Sequence, residues 1–148
     1  MMIGARYWIY CQRPRLSILM SPHDGRGWNP QEIQSDGYPW IKISMKSHNG
    51  IYAAKSMEHI EQSVMTEKAK GWLRRTWWQS LNKEYGPRAI VFGRVQIWGT
   101  VIEHARGYRA EQAKIHSLDK ITLGPEFASL CNCGSDLEIL RLMYGVSS

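Results

Sequence analysis

The sequence predicts an α+β fold: a small twisted, mostly antiparallel sheet or partial β-barrel with a helical insertion and a C-terminal helix. Three observations lead there. "RYWIYCQ" (6–12) and "AIVFGRVQIWGTVIEH" (89–104) are dense in β-branched and aromatic residues, as strands are. Between them, residues 56–85 switch to helical spacing. Residues 135–144 then carry their own helix start and stop signals.

The elements follow in order. "RYWIYCQ" is the first strand and "RLSILM" (15–20) a short second one. "SPHDGRGWNPQ" (21–31), with two Gly and two Pro, is a loop. "YPWIKISMK" (38–46) alternates as a strand does, with Trp40, Lys42, Ser44 and Lys46 on one face and Ile41, Ile43 and Met45 on the other. "SHNG" (47–50) turns the chain into "IYAA" (51–54). Ser56 is placed to cap a helix in which Ile60 and Val64 lie four apart, and Thr66 to cap a second. Leu73, Trp77 and Leu81 form an apolar stripe, and Gly86-Pro87 ends it.

The core hairpin is expected at about 89–116. Gly93 and Gly99 inside its long strand mark bends or bulges. A three-residue loop, Ala105-Arg106-Gly107, closes it, with Gly107 left-handed. "DKITL" (119–123) reads as one more strand. Ser135 caps the last helix, and Gly145 stops it. Residues 1–148 read as a single domain, long enough to bury a core without metal or disulfides.

Formal charge is +6 and the pI about 9.4, which favours RNA, DNA or an acidic protein as partner. Seven Trp and seven Tyr against two Phe add rings with polar handles. Cys11, Cys131 and Cys133 make an odd count, so no disulfide framework is implied. Their C-x-C spacing also lacks zinc-pair geometry, and no metal is expected. No P-loop, G-x-S-x-G or G-x-G-x-x-G before a helix occurs, and no cofactor is implied. With no apolar run of membrane-spanning length and no leader pattern, the expectation is a cytoplasmic protein without a membrane partner. Oligomeric state is left open.

Three segments, "GIYAAKS" (50–56), "GRVQIWGTVIEHARGYRAEQAKI" (93–115) and "LRLMYGV" (140–146), resemble a family of small bacterial and phage proteins. That family carries "CGIYA" before a "GxVxxWGxVxEHxxGYRAE" hairpin and ends in "YGV". The resemblance implies organisation rather than an activity. Family members often have cysteines before "GIYA"; here Ser47-His48-Asn49 stand there.

Two surfaces carry candidate chemistry. With the three-residue loop, Glu103 faces Arg109 and His104 faces Tyr108. One reading is structural: a cross-strand ion pair beside an aromatic pair. The other has Glu103 and Glu111 clamp Arg109 so that its fork meets a phosphate or base edge, with Trp98, Tyr108 or Tyr52 offering a stacking surface. Glu103 and His104 point to opposite faces, which makes them poor acid–base partners. On the helix, Arg74 and Arg75 beside Trp78 suit a phosphate backbone with a stacked base, or are simply a solvated basic face. The expected function is a nucleic-acid- or nucleotide-binding module, following the logic of PUA-like domains, in which a small barrel plus helices holds a nucleotide. Its contacts are Tyr52, Arg74, Arg75, Trp78, His104, Tyr108 and Arg109, supported by Glu103, Glu111 and Trp98. Two alternatives are a phage-type protein–protein inhibitor or adaptor and a small hydrolase or nuclease using Glu103, Glu111 and His104.

Overall fold

A computed structural model describes residues 1–13, 16–21, 27–28, 30, 33–38, 40–69, 87–122 and 133–146. It is α+β: a mostly antiparallel sheet with two helices. The strands are β1 (Met2–Arg13), β2 (Leu16–Met20), β3 (Gly27–Trp28), β4 (Gln34–Ser35), β5 (Ile51–Ala54), β6 (Pro87–Glu103) and β7 (Gly107–Thr122). The helices are α1 (Met57–Ala69) and α2 (Cys133–Tyr144).

β1 runs antiparallel to β6 from Met2–Ile97 to Cys11–Pro87, and β6 continues into β7. β7 pairs with β5 from Ile51–Ala110 to Ala54–Gly107. β5 meets β1 at one pair, Ala5–Ala54. The pairings therefore run in a ring, β1–β6–β7–β5–β1. β2 and β3 extend it beyond β1, and β4 lies on β7.

The core explains why these segments are strands. Tyr7, Trp8, Ile9 and Tyr10 are all buried, so β1 is covered on both faces, and alternation is absent where both faces are apolar. Trp8 meets Trp28 edge-on at 5.4 Å between ring centroids, and Tyr7 lies 6.3 Å from Phe92. Val91, Val95 and Leu118 complete this wall at zero exposure. The long strands bend, as the interior glycines predict: register shifts fall at Phe92/Gly93 and between Trp98 and Val101. A Cβ on Gly93 would lie 2.2 Å from the Ser117 carbonyl oxygen, so only glycine lets the strands approach there.

Both helix signals act as read. The Ser56 hydroxyl accepts from the His59 amide at 3.2 Å, an N-cap that satisfies a first-turn donor. At the end of α2, the Val146 amide donates to Arg141 O at 3.0 Å and the Gly145 amide to Leu142 O at 3.3 Å. With Gly145 at φ +65°, this is a Schellman stop. α2 brings Leu140 and Tyr144 into the core. The Tyr144 hydroxyl donates to Trp28 O and accepts from the Leu19 amide at 3.1 Å. Burial pushes that phenol up to about 12, partly offset by the Leu19 N–H. Arg141 Nε donates to Leu118 O at 2.8 Å, tying α2 to β7.

Several expectations need correction. Among the described residues of 38–46, none lies in a strand. The neighbouring edge of β7 is taken by β4 and by Asp36, whose amide donates to Glu111 O at 2.9 Å, so the following residues have no ladder to join. "DKITL" is no separate strand, because β7 runs on through Lys120–Phe92 to Thr122–Ile90. The hairpin is longer than 89–116, and α2 begins at Cys133 rather than Ser135. Gly107 is not left-handed; it is required because a Cβ there would sit 2.5 Å from Ala53 O. Thr66 caps no second helix, because α1 runs through it to Ala69. The 73/77/81 stripe and most of the 21–31 loop lie outside the described residues. Among the described residues, no helix is long and apolar enough to cross a membrane.

Candidate functional site

The hairpin closes one residue differently from the three-residue expectation. Glu103 pairs with Tyr108 and Ile102 with Arg109, and the His104 amide donates to Gly107 O at 2.8 Å. A one-residue slip exchanges the faces of a strand. Glu103 therefore does not face Arg109. It meets Lys55 Nζ at 2.7 Å, and this ammonium, by hydrogen bond and by charge, holds the Glu103 carboxyl below its ordinary value. Lys55 also sits 5.7 Å from the Tyr108 ring centroid. His104 does not pair with Tyr108.

Arg109 is 2% exposed and points inward. Its Nε donates to His104 Nε2 at 2.9 Å, so the imidazole accepts there and carries its proton on Nδ1. One terminal nitrogen donates to Asn49 O at 2.9 Å and to the Ser47 hydroxyl at 3.3 Å; the other donates to Ser44 O at 2.7 Å. The acceptors of the expected clamp, Glu103 and Glu111, are replaced by His104, the Ser47 hydroxyl and the carbonyls of Ser44 and Asn49. Glu111 instead packs against Gly99 and accepts weakly from the Thr100 amide at 3.5 Å.

The counter-charge stands one residue away. Asp36, itself buried, accepts from Asn49 Nδ2 at 2.6 Å and from the Gly50 amide at 3.0 Å. Asn49 Nδ2 also donates to Ile41 O at 2.9 Å. Asn49 thus touches the carboxylate with its side chain and the guanidinium with its carbonyl. Asp36 and Arg109 together fasten both ends of the excursion between β4 and β5.

What the excursion shows outward is aromatic and apolar. Trp40 is 76% exposed, Tyr38 55% and Met45 69%, and Ile41 is exposed beside them. Tyr38 and Trp40 meet edge-on at 5.7 Å, and the Ile41 amide donates to Tyr38 O at 3.0 Å, closing a turn that holds the two rings out. Tyr52, on β5, is 54% exposed. From Gly37 to Met57 the chain has no acidic residue but carries Lys42, Lys46, His48 and Lys55.

A concavity of about 1220 Å³ opens beside this surface, walled by Tyr38, Tyr52, Tyr108, His104 and Arg106, with Trp28 and Arg6 among its other lining residues. The Arg6 guanidinium lies 4.8 Å over the Trp28 ring and donates to Tyr52 O at 2.7 Å and to the Ser21 hydroxyl at 2.9 Å. Of the expected contact residues, Tyr52, His104, Tyr108 and Arg109 are thus brought together around one hollow. Trp98 stands apart from it, half-buried opposite Gln112 on β7. Arg74, Arg75 and Trp78 lie outside the described residues. The triad needed for hydrolysis is divided among separate contacts: Glu103 with Lys55, Glu111 with Thr100, His104 with Arg109. Among the described residues, no three His, Cys, Asp or Glu side chains group as metal ligands.

Sequence reasoning missed Asp36, Asn49, Tyr38 and Trp40. Only the last two left a usable signal: two rings beside a proline in an acid-free stretch. Compared with known protein families, curated proteins and solved structures, the chain matches none.

Proposed function

We propose that this chain is a nucleic-acid- or nucleotide-binding module whose contact surface is the 37–57 segment and the hollow beside it. The observation that carries this reading is the acid-free span from Gly37 to Met57, which exposes Tyr38, Trp40 and Tyr52 among cationic side chains. Aromatic faces take bases and lysines take phosphates. Tyr52, Tyr108 and His104 form the wall, Arg106 the rim, and Arg109 a positioning group that sets the loop rather than a phosphate ligand. Arg74, Arg75 and Trp78, outside the described residues, enter the proposal by residue type alone. The ring of strand pairings supports a partial barrel, and the PUA-like comparison rests on that ring and the flanking helices alone.

The test is oligonucleotide binding by fluorescence anisotropy between 50 and 200 mM salt. Three cationic contacts, from Lys42, Lys46 and Arg106, give a slope of log K against log salt of about −2. Tyr52→Ala weakens binding, and affinity that ignores salt rejects the reading. A second reading, a docking site for another protein, is favoured by the exposed Ile33, Ile41 and Met45. Binding to a protein that survives high salt and is lost in Met45→Asp selects it instead.

A further inference from the structure

We infer that the ligand is unpaired nucleic acid, with bases stacked on the Tyr38–Trp40 turn and strand phosphates on Lys42 and Lys46. This inference rests on the nucleic-acid reading above and narrows it to single strands.

Three observations favour a single strand over a duplex. First, a duplex hides its base faces inside the stack, so flat exposed rings offer it little, whereas an unpaired base can lie on them. Trp40, at 76% exposure, is the most exposed aromatic ring among the described residues, and its neighbour Tyr38 meets it at 80°. Two rings at right angles cannot both slide into one stacked duplex, but they can take two bases of a strand that bends between them. Second, these rings stand on a fixed base. The hydrogen bond to Tyr38 O closes the turn on itself, while the Asn49 bond to Ile41 O and the Arg109 bond to Ser44 O tie the segment down at two points. Rings held this way lose little freedom on binding, which is what a stacking platform needs. Third, Lys42 follows this turn and Lys46 lies on the next one, closed by the Ser47 amide to Ser44 O at 3.3 Å; both are exposed, and the sequence from Gly37 to Met57 adds no acidic residue beside them. The adjoining hollow of about 1220 Å³ exceeds the roughly 300–1,000 Å³ that hold a drug-sized ligand, so it has room for more than one splayed-out base.

Anisotropy titrations with a labelled 12-nucleotide oligo-U and a 12-base-pair RNA duplex at the same salt test this. The single strand is expected to bind at least about tenfold tighter. Trp40→Ala and Tyr38→Ala should each weaken single-strand binding by about tenfold, the stacking contribution of one base, without altering the salt slope. Lys42→Gln with Lys46→Gln should flatten that slope by about 1.4. Near-UV circular dichroism shows that each variant is folded, and loss of an exposed ring leaves the core in place. Equal affinity for the duplex, or full single-strand affinity in folded Trp40→Ala, overturns the inference while leaving nucleic-acid binding standing. Failure of both probes to bind overturns the inference and removes RNA from the proposed function.

Discussion

Trp8, Val91, Val95 and Leu118 form a wall from which water is wholly excluded, and between Asp36 and Gly50 the chain buries Ile43 but keeps Tyr38, Trp40, Ile41 and Met45 outside instead. The two regions touch the same strand, β7, yet different forces hold them. The wall is held by apolar burial, which is non-directional and tolerant of small shifts. The excursion is held by one buried cation, one buried carboxylate and one amide, whose bonds are directional and costly to leave half-made. Core-type arrangement therefore gives stability to the whole, while the polar clamp gives shape to one loop. Mutations should separate the two.

The largest effect is expected at Trp8→Ala. It deletes a fully buried ring that touches Trp28 and should cost about 3–5 kcal/mol, read as a fall in the urea midpoint with every probe moving together. Arg109→Met should cost less, about 2–3 kcal/mol, because it strands the carbonyls of Ser44 and Asn49. Its mark is local: hydrogen exchange at residues 44–50 should accelerate more than in β1. Arg109→Lys should not restore it, since a single ammonium cannot span three directions. If exchange in β1 rises equally, the loop and wall are one unit and the contrast fails.

Tyr144 gives a pH test of the wall alone. Its phenol ionises near 10 when unfolded and near 12 when folded. The stabilisation is complete below pH 10 and is lost as pH rises toward 12, because the unfolded chain sheds its proton first. At pH 11 the loss is about 1.4 kcal/mol. Unfolding measured at pH 9 and 11 should show that difference, and Tyr144→Phe should remove it. Smallest is Glu103→Gln. Its carboxylate is at the surface, and its bond to Lys55 is screened by water. The urea midpoint should not move at neutral pH. A clear drop would mean that the hairpin tip shares in the clamp.

Much of the wall was readable from the chain. A run such as Tyr7-Trp8-Ile9-Tyr10 permits little besides a buried strand, and Ser56 and Gly145 mark helix ends through chemistry local to a few residues. The loop was not readable for identifiable reasons. Trp40, Lys42, Ser44 and Lys46 alternate as a strand does, and periodicity cannot say whether an edge is free to receive them. Asp36 and β4 had already occupied it. Around His104-Ala105-Arg106-Gly107, three- and four-residue closures suit the same residues, yet they put Glu103 on opposite sides of Arg109. Apart from His104, Arg109 finds its acceptors some 60 positions earlier, and two of them are backbone carbonyls, which every residue has. No side-chain pattern encodes such a choice. The hairpin residues His104, Tyr108 and Arg109 do line one hollow, but Arg109 points inward and not out to a ligand.

The long seam between β1 and β6 also sets the order of events at the ribosome. Met2 pairs with Ile97 and Cys11 with Pro87, so β1 leaves the exit tunnel about 75 residues ahead of the strand that covers it. At roughly 5–20 residues per second, that interval lasts about 4–15 s. Throughout it, Trp8, Ile9 and Tyr10 have only β2, Trp28 and the later β5 and α1 for company, and the β6-facing edge of β1 is open to any passing chain. A strand buried on both faces in the finished molecule thus waits in the open, and the yield in a cell should depend on translation speed and chaperone supply as well as on final stability.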